Sequence, residues 1–214
     1  PVRITGSGLA KPKQVRRAAV ACFVAALIAG VYLIVVGGLP ILVIGLASLA
    51  SGYAYSSGPR PLSHGPFGEV YVIVFFGLVA VAGSYFLQIG QLPDVAVSLV
   101  GIALGCYAAA VLLVNNLRDT EADLRAGRKT LAGRLGPRAT RWLYGFLLLV
   151  PFPMLAAAWG MQALGLVWLG LPVCLGLAVL FARMPVGRGM NAQLGRTALV
   201  QVLVGALLIV ERLS

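Results

Sequence analysis

Residues 18–59 carry no charged side chain. Crossing the hydrocarbon core of a bilayer takes about 20 apolar residues in a helix. That run is long enough for two spans, and Gly37, Gly38 and Pro40 interrupt it where a turn between them would fall, giving helices over roughly 15–36 and 40–56. Comparable uncharged runs cover 70–93, 95–117 and 142–182. The third of these holds two spans parted near Gly160 to Gln162, and a last span over 194–212 carries Arg196 at its edge. The reading is an all-α, polytopic transmembrane helix bundle of about seven spans.

Composition agrees. The chain is 60% hydrophobic and 11% charged, with a mean hydropathy of +0.95. The net charge of +11 is not that of a nucleic-acid binder, because the charges are separated by wholly apolar stretches and do not form a polar surface. Assigning the connections alternately to two sides puts Arg3, Lys11, Lys13, Arg16, Arg17, Arg60, the basic cluster from Arg118 to Arg141, Arg183, Arg188 and Arg196 on one side, and Arg212 alone on the other. Basic loops stay in the cytoplasm. The expected location is therefore the cell (plasma) membrane, with several passes and with the basic loops inside. Gly101 and Gly105, four residues apart with Ala109 continuing the row, predict a face packed closely on a neighbouring helix. Cys22, Cys106 and Cys174 lie in apolar runs with no paired spacing and are expected to be small buried hydrophobes.

One polar passage stands out, Asn115-Asn116-Leu117-Arg118-Asp119 through Asp123 to Gly127-Arg128-Lys129-Thr130-Leu131. It begins while the fourth span is still apolar. If the helix continues, Asn116, Asp119 and Asp123 share one face at its end, with Asn115 close by. A solvated helix of alternating charge would also account for two acids beside basic residues. Polar groups entering a span are costly and usually functional, which favours a magnesium site. In that reading Asp119 and Asp123 are the metal ligands, the ion bridges the oxygens of a diphosphate, and Arg118, Arg128 and Lys129 neutralise the same diphosphate. Asp94 reads as a helix start and Glu69 as an acidic residue capping the third span. His64, the only histidine, reads as a solvated loop residue.

The passage resembles the second aspartate-rich motif of the UbiA superfamily of intramembrane aromatic prenyltransferases. It is most similar to the menaquinone branch, whose members prenylate 1,4-dihydroxy-2-naphthoate. Asn115, Asn116, Arg118, Asp119, Asp123, Gly127, Arg128, Lys129, Thr130, Leu131, Arg134, Leu135 and Gly136 carry the match. Tyr55-Ser56 with Gly58-Pro59-Arg60-Pro61, Gly68-Glu69, Val74-Phe75-Phe76-Gly77 and Arg196-Thr197 extend it, whereas Leu62, Ser63 and His64 depart from the family's loop.

The resemblance implies transfer of a polyprenyl group from polyprenyl diphosphate to 1,4-dihydroxy-2-naphthoate, with loss of diphosphate and CO₂ to give demethylmenaquinol. It implies Mg²⁺ as cofactor, Asp119 and Asp123 as catalytic and metal-binding residues, and Asn115, Asn116, Arg118, Arg128, Lys129, Tyr55 and Arg60 around the diphosphate. The chain is expected to form one transmembrane domain over 1–214, with active-site loops at about 56–68 and 115–140. The family fold has nine helices and two aspartate-rich motifs. The first two helices and the first motif are therefore expected to be lacking here, and the chain alone is expected to be inactive and to bind diphosphate poorly. A relative acting on 4-hydroxybenzoate or homogentisate, and a seven-helix transporter, are the alternatives; no polar break deep in a span supports the transporter.

Overall fold

The computed structural model describes residues 8–56, 61–161, 165–187 and 189–213. All its regular elements are helical: α1 Pro12–Ser56, α2 Gly68–Ile89, α3 Val95–Arg118, α4 Thr120–Arg125, α5 Leu131–Leu149, α6 Pro151–Trp159, α7 Val167–Arg183 and α8 Met190–Leu213. Among the described residues, five helical stretches are long and apolar enough to cross a membrane: Pro12–Ser56, Gly68–Ile89, Val95–Arg118, Leu131–Trp159 and Met190–Leu213. Val167–Arg183 is a shorter apolar helix. The protein is an all-α, multi-pass membrane bundle.

The chain divides into two units, residues 1–46 and 47–214. The first is α1 up to Leu46. Its backbone leaves helical geometry at Gly38 (φ 65°, ψ −152°), two residues ahead of Pro40, where the sequence predicts the break between two spans. Cys22 is exposed on it, contrary to the buried position expected from its apolar run. In a span, an apolar neighbourhood in sequence does not distinguish a protein-facing side chain from a lipid-facing one.

The second unit is built around α3. Asp94 caps that helix, its Oδ1 accepting from the Val97 amide at 2.8 Å, so the far-side aspartate has the structural role expected of it. Ala103, Cys106, Tyr107, Ala109, Ala110, Leu113, Val114 and Leu117 of α3 are all buried, against α2, α5, α6 and α8. The predicted glycine face lies on α2. A Cβ added at Gly77 would stand 2.4 Å from the Gly101 carbonyl oxygen, and one at Gly105 would stand 2.7 Å from the Ile73 carbonyl oxygen. Backbone meets backbone there, so no side chain can yield. The facing segment of α2, Ile73–Val79, is a π-helical turn, a local widening of the helix.

Two expected boundaries move. The span predicted from Trp142 begins earlier: helix starts at Leu131, where Thr130 Oγ1 accepts from the Gly133 amide at 3.3 Å, breaks at Gly136 (φ 73°, ψ 171°) ahead of Pro137, and continues to Leu149. The last span begins at Met190 and not at 194, carrying Gln193 and Thr197 fully buried. Both join a hydrogen-bond network: the Tyr144 hydroxyl lies 2.8 Å from Thr197 Oγ1 and accepts from Gln193 Nε2 at 2.9 Å, while Gln193 Oε1 is buried without a partner among the described residues. Tyr144 is thus a buried packing residue, whereas Trp142, 76% exposed, has the position of an interfacial aromatic.

Candidate functional site

The polar passage falls where α3 ends. The helix does not run on unbroken: Asp119 (φ −96°, ψ 6°) separates α3 from the six-residue α4. The turn keeps helical pairing, because the Asp123 amide donates to the Asp119 carbonyl at 2.9 Å and the Asp119 amide to that of Asn115 at 3.1 Å. Thr120 Oγ1 donates back to the carbonyls of Asn116 and Leu117 at 2.9 and 3.0 Å, a local competitor of the helical ladder. α4 then stops at Gly127 (φ 73°), where the Arg128 amide donates to the Asp123 carbonyl at 2.8 Å. The left-handed backbone there is accessible to glycine at little cost.

Arg118 organises the centre. Its Nε and Nη2 donate to Asp119 Oδ1 and Oδ2 at 2.7 and 2.6 Å, a two-pronged pairing. Nη2 also donates to Asn115 Oδ1 at 2.7 Å, and Nη1 to Asn191 Oδ1 at 2.7 Å. Four of the guanidinium's five N–H groups are thereby engaged. Asn191 was not among the residues the sequence singled out; it arrives on the first turn of α8, which packs on α3. The Arg118 hydrogen bonds hold the Asp119 carboxyl below the ordinary aspartate value of 3.8, so it stays ionised well into acid.

Asp123 is the more buried carboxylate of the two, with its side chain 13% exposed against 26% for Asp119. Its Oδ1 accepts from Arg128 Nη1 at 3.3 Å. Asn116 turns the other way, donating from Nδ2 to Glu69 Oε1 at 2.9 Å. Glu69 stands in the first turn of α2, at the helix start expected of it, though it makes no side-chain cap bond and reaches Asn116 on α3 instead. It is 3% exposed, and its Oε2 is buried without a hydrogen-bond partner among the described residues. Lys129 contributes its backbone: its amide donates to the His64 carbonyl at 2.7 Å, tying the loop after α4 to the loop before α2. The Lys129 side chain is exposed. Arg60 lies outside the described residues.

Tyr55, at the end of α1, faces this region from the apolar side. Its hydroxyl packs against Gly68, 3.7 Å from where a Cβ would stand, within electrostatic reach of Glu69 and Arg128. Its ring stacks on Tyr71 at 4.9 Å, and Tyr71 stacks on Phe75 at 4.5 Å. Together with Ser48, Gly52, Val72, Phe76 and Ala80 these rings line a groove of about 660 Å³. An apolar, aromatic groove thus begins next to a cluster of carboxylates, amides and guanidinium groups.

The oxygens of Asp119, Asp123 and Asn115 are hard donors of the kind magnesium takes. Among the described residues no three His, Cys, Asp or Glu side chains come together to enclose an ion. Both Asp119 oxygens and Asn115 Oδ1 accept from Arg118, so an ion held here would share them with the guanidinium and draw the rest of its shell from Asp123 and from phosphate oxygens, magnesium's usual manner of binding.

A profile of the UbiA prenyltransferase family matches residues 1–207. The chain belongs to the UbiA prenyltransferase family. Within it, the chain is similar to three proteins each named 1,4-dihydroxy-2-naphthoate octaprenyltransferase. That of Mycobacterium tuberculosis is 39% identical over 150 residues, 70% of this chain and 51% of the relative. That of Mycobacterium leprae is 37% identical over 172 residues, 78% and 58%, and that of Escherichia coli is 33% identical over 155, 70% and 50%. The chain spans about half the length of these curated relatives. The family membership and the multi-pass helical architecture expected from the sequence both hold.

Proposed function

We propose that the UbiA-family protein carrying this chain transfers a polyprenyl group from polyprenyl diphosphate to 1,4-dihydroxy-2-naphthoate, releasing diphosphate and CO₂ and giving demethylmenaquinol for menaquinone biosynthesis. The observation that carries the reading is the adjacency of two unlike surfaces. Asp119 after α3 and Asp123 in α4 are held by Arg118 and Arg128, and Arg128 with Glu69 lies within electrostatic reach of Tyr55, whose ring lines the Tyr55–Tyr71–Phe75 groove. A polyprenyl diphosphate has the same two-part chemistry, a multiply charged head on a lipid tail.

In this proposal the groove takes the first isoprene units, and the aromatic faces lie where positive charge develops as the carbon–oxygen bond of the allylic diphosphate breaks. Magnesium, when bound, would supply positive charge to the departing diphosphate oxygens. Asp119 and Asp123 are the residues that would hold it. Arg118 keeps Asp119 ionised and fixed in direction. Arg128, whose side chain is 40% exposed, and Lys129 would meet the diphosphate from the loop side. Asn115 and Asn116 orient Arg118 and Glu69. The electron-rich ring of the acceptor then forms the new carbon–carbon bond at the prenyl C1. The basic loops and this site face the cytoplasm of a plasma-membrane protein, as the one-sided distribution of lysine and arginine supports.

Membranes containing the protein, supplied with an allylic diphosphate, Mg²⁺ and one acceptor at a time, test the reading. Product is expected with 1,4-dihydroxy-2-naphthoate. Turnover of 4-hydroxybenzoate or homogentisate, with none of the naphthoate, would overturn the acceptor assignment.

A further inference from the structure

On the outer side of α5, away from the aromatic groove, a second cleft of about 570 Å³ runs between α5 and α7. It is lined from α5 by Arg138, Arg141, Trp142, Gly145, Phe146 and Leu149, and from α7 by Ala178, Val179 and Ala182. The α5 residues recur at steps of three and four, a single stripe of the helix. From Arg138 to Leu149 the stripe rises about 16 Å at the helical rise, close to the depth of one leaflet of a hydrocarbon core about 30 Å thick. Its polar end carries two arginines and its remaining length is apolar. Gly145 and Ala178 form the floor: a Cβ on Gly145 would meet Ala178 Cβ at 3.7 Å.

The charge at the mouth has no acidic counterpart among the described residues. Arg138 is exposed and makes no hydrogen bond or ion pair among the described residues. Arg141 donates from Nη2 to the Met184 carbonyl at 2.6 Å, which fixes its guanidinium at the end of α7, while its Nε is buried without a partner. Among the described residues no acidic side chain lines the cleft. Trp142 at 76%, Phe146 at 59% and Val179 at 50% exposure keep the apolar part open to lipid.

We propose that this cleft is a binding site for an anionic phospholipid of the leaflet that holds the basic loops, with the phosphate on Arg138 and Arg141 and one acyl chain laid along Trp142, Phe146, Leu149 and Val179. The occupant is a lipid and not a free anion because the apolar stripe is continuous with the arginines and as deep as an acyl chain requires. A juxtamembrane arginine contributes roughly fivefold in affinity for an anionic surface.

Quenching of Trp142 reads the site directly. In a Trp159→Phe/Trp168→Phe background, Trp142 is the remaining tryptophan, since the chain has three. The protein is reconstituted in phosphatidylcholine vesicles doped with brominated phosphatidylglycerol or with brominated phosphatidylcholine. The expected result is preferential quenching by phosphatidylglycerol, corresponding to a relative binding constant of about fivefold or more. Arg138→Gln should reduce that preference about fivefold, whereas Arg125→Gln, an equal loss of charge on exposed α4, should leave it unchanged. Millimolar inorganic phosphate should not compete.

Three results would each overturn the proposal. The first is equal quenching by the two brominated lipids in the unmodified protein. The second is an equal loss of preference in Arg138→Gln and Arg125→Gln, which would mark a diffuse surface potential. The third is displacement by phosphate, which would mark a simple anion site. The preference of the unmodified protein is decisive even if a variant folds poorly.

Discussion

Glu69 and Asn116 form a buried polar contact between α2 and α3. A carboxyl group that is 3% exposed, with one oxygen lacking a partner among the described residues and the Asn116 amide as its side-chain partner, loses much of its compensation with that amide. Asn116→Leu is expected to lower stability in detergent by about 1–3 kcal/mol. Adding Glu69→Leu should recover most of the loss, because removing both members of a buried polar pair costs less than orphaning one. A denaturant series on the two variants checks this; equal destabilisation would show that the pair is not coupled. Asp119 makes a pH prediction. Its folded-state pKa lies below the ordinary 3.8 because Arg118 bonds to it, so its contribution to stability is present above the ordinary value and disappears as pH falls through the folded one. In Arg118→Gln the titration should move up toward 3.8, as carbon-labelled carboxyl resonances in the two proteins would report. The acids and Arg118 were readable from sequence because they sit within five positions of each other. Asn191 and Glu69 were not assigned to the cluster: their partners are 73 and 47 residues away, and only the packing of α8 and α2 on α3 brings them in.

At the level of helices, the α2–α3 contact sets how near Tyr55, Tyr71 and Phe75 come to the end of α3. Gly77, Gly101 and Gly105 let the two backbones touch. Gly105→Ala should therefore cost about 1–3 kcal/mol through overpacking. Gly205→Ala, with nothing within 4 Å of the new Cβ, should be neutral or gain up to about 1 kcal/mol from helix propensity. Thermal unfolding of both variants in the same detergent separates the cases, and similar shifts would contradict the close approach. The small-residue spacing on α3 was legible because it repeats every four residues. The π-helical turn opposite it was not, since Ile73–Val79 reads as an ordinary apolar helix and the widening is imposed by packing against α3. The early start of α5 was hidden for a related reason. Arg134, Arg138 and Arg141 made 131–141 look like loop, yet Thr130 caps a helical turn there, and Arg134 and Arg141 are held by the Lys129 and Met184 carbonyls on either side of the break at Gly136.

For the molecule as a whole, the distribution of lysine and arginine carries the orientation. In a cysteine-free background, Glu121→Cys should react with a membrane-impermeant thiol reagent only from the cytoplasmic side, and Gln91→Cys only from the opposite side, with at least about tenfold discrimination each way. Labelling of both from one face would reverse or break the topology. Fold class was the most legible property of this sequence, because apolar run length is a direct physical requirement of the bilayer. Chemistry was legible only where a motif concentrated it. The central claim is that the carboxylates at the end of α3 serve prenyl transfer. Its most direct test is the initial rate of naphthoate prenylation in membranes carrying Asp119→Ala, compared with Asp94→Ala, which removes only a far-side helix cap. The first variant should fall by a factor on the order of 10² or more, with the protein still present in the membrane, and the second should stay near the unmodified rate. An Asp119→Ala rate within about twofold of the unmodified protein would contradict the assignment.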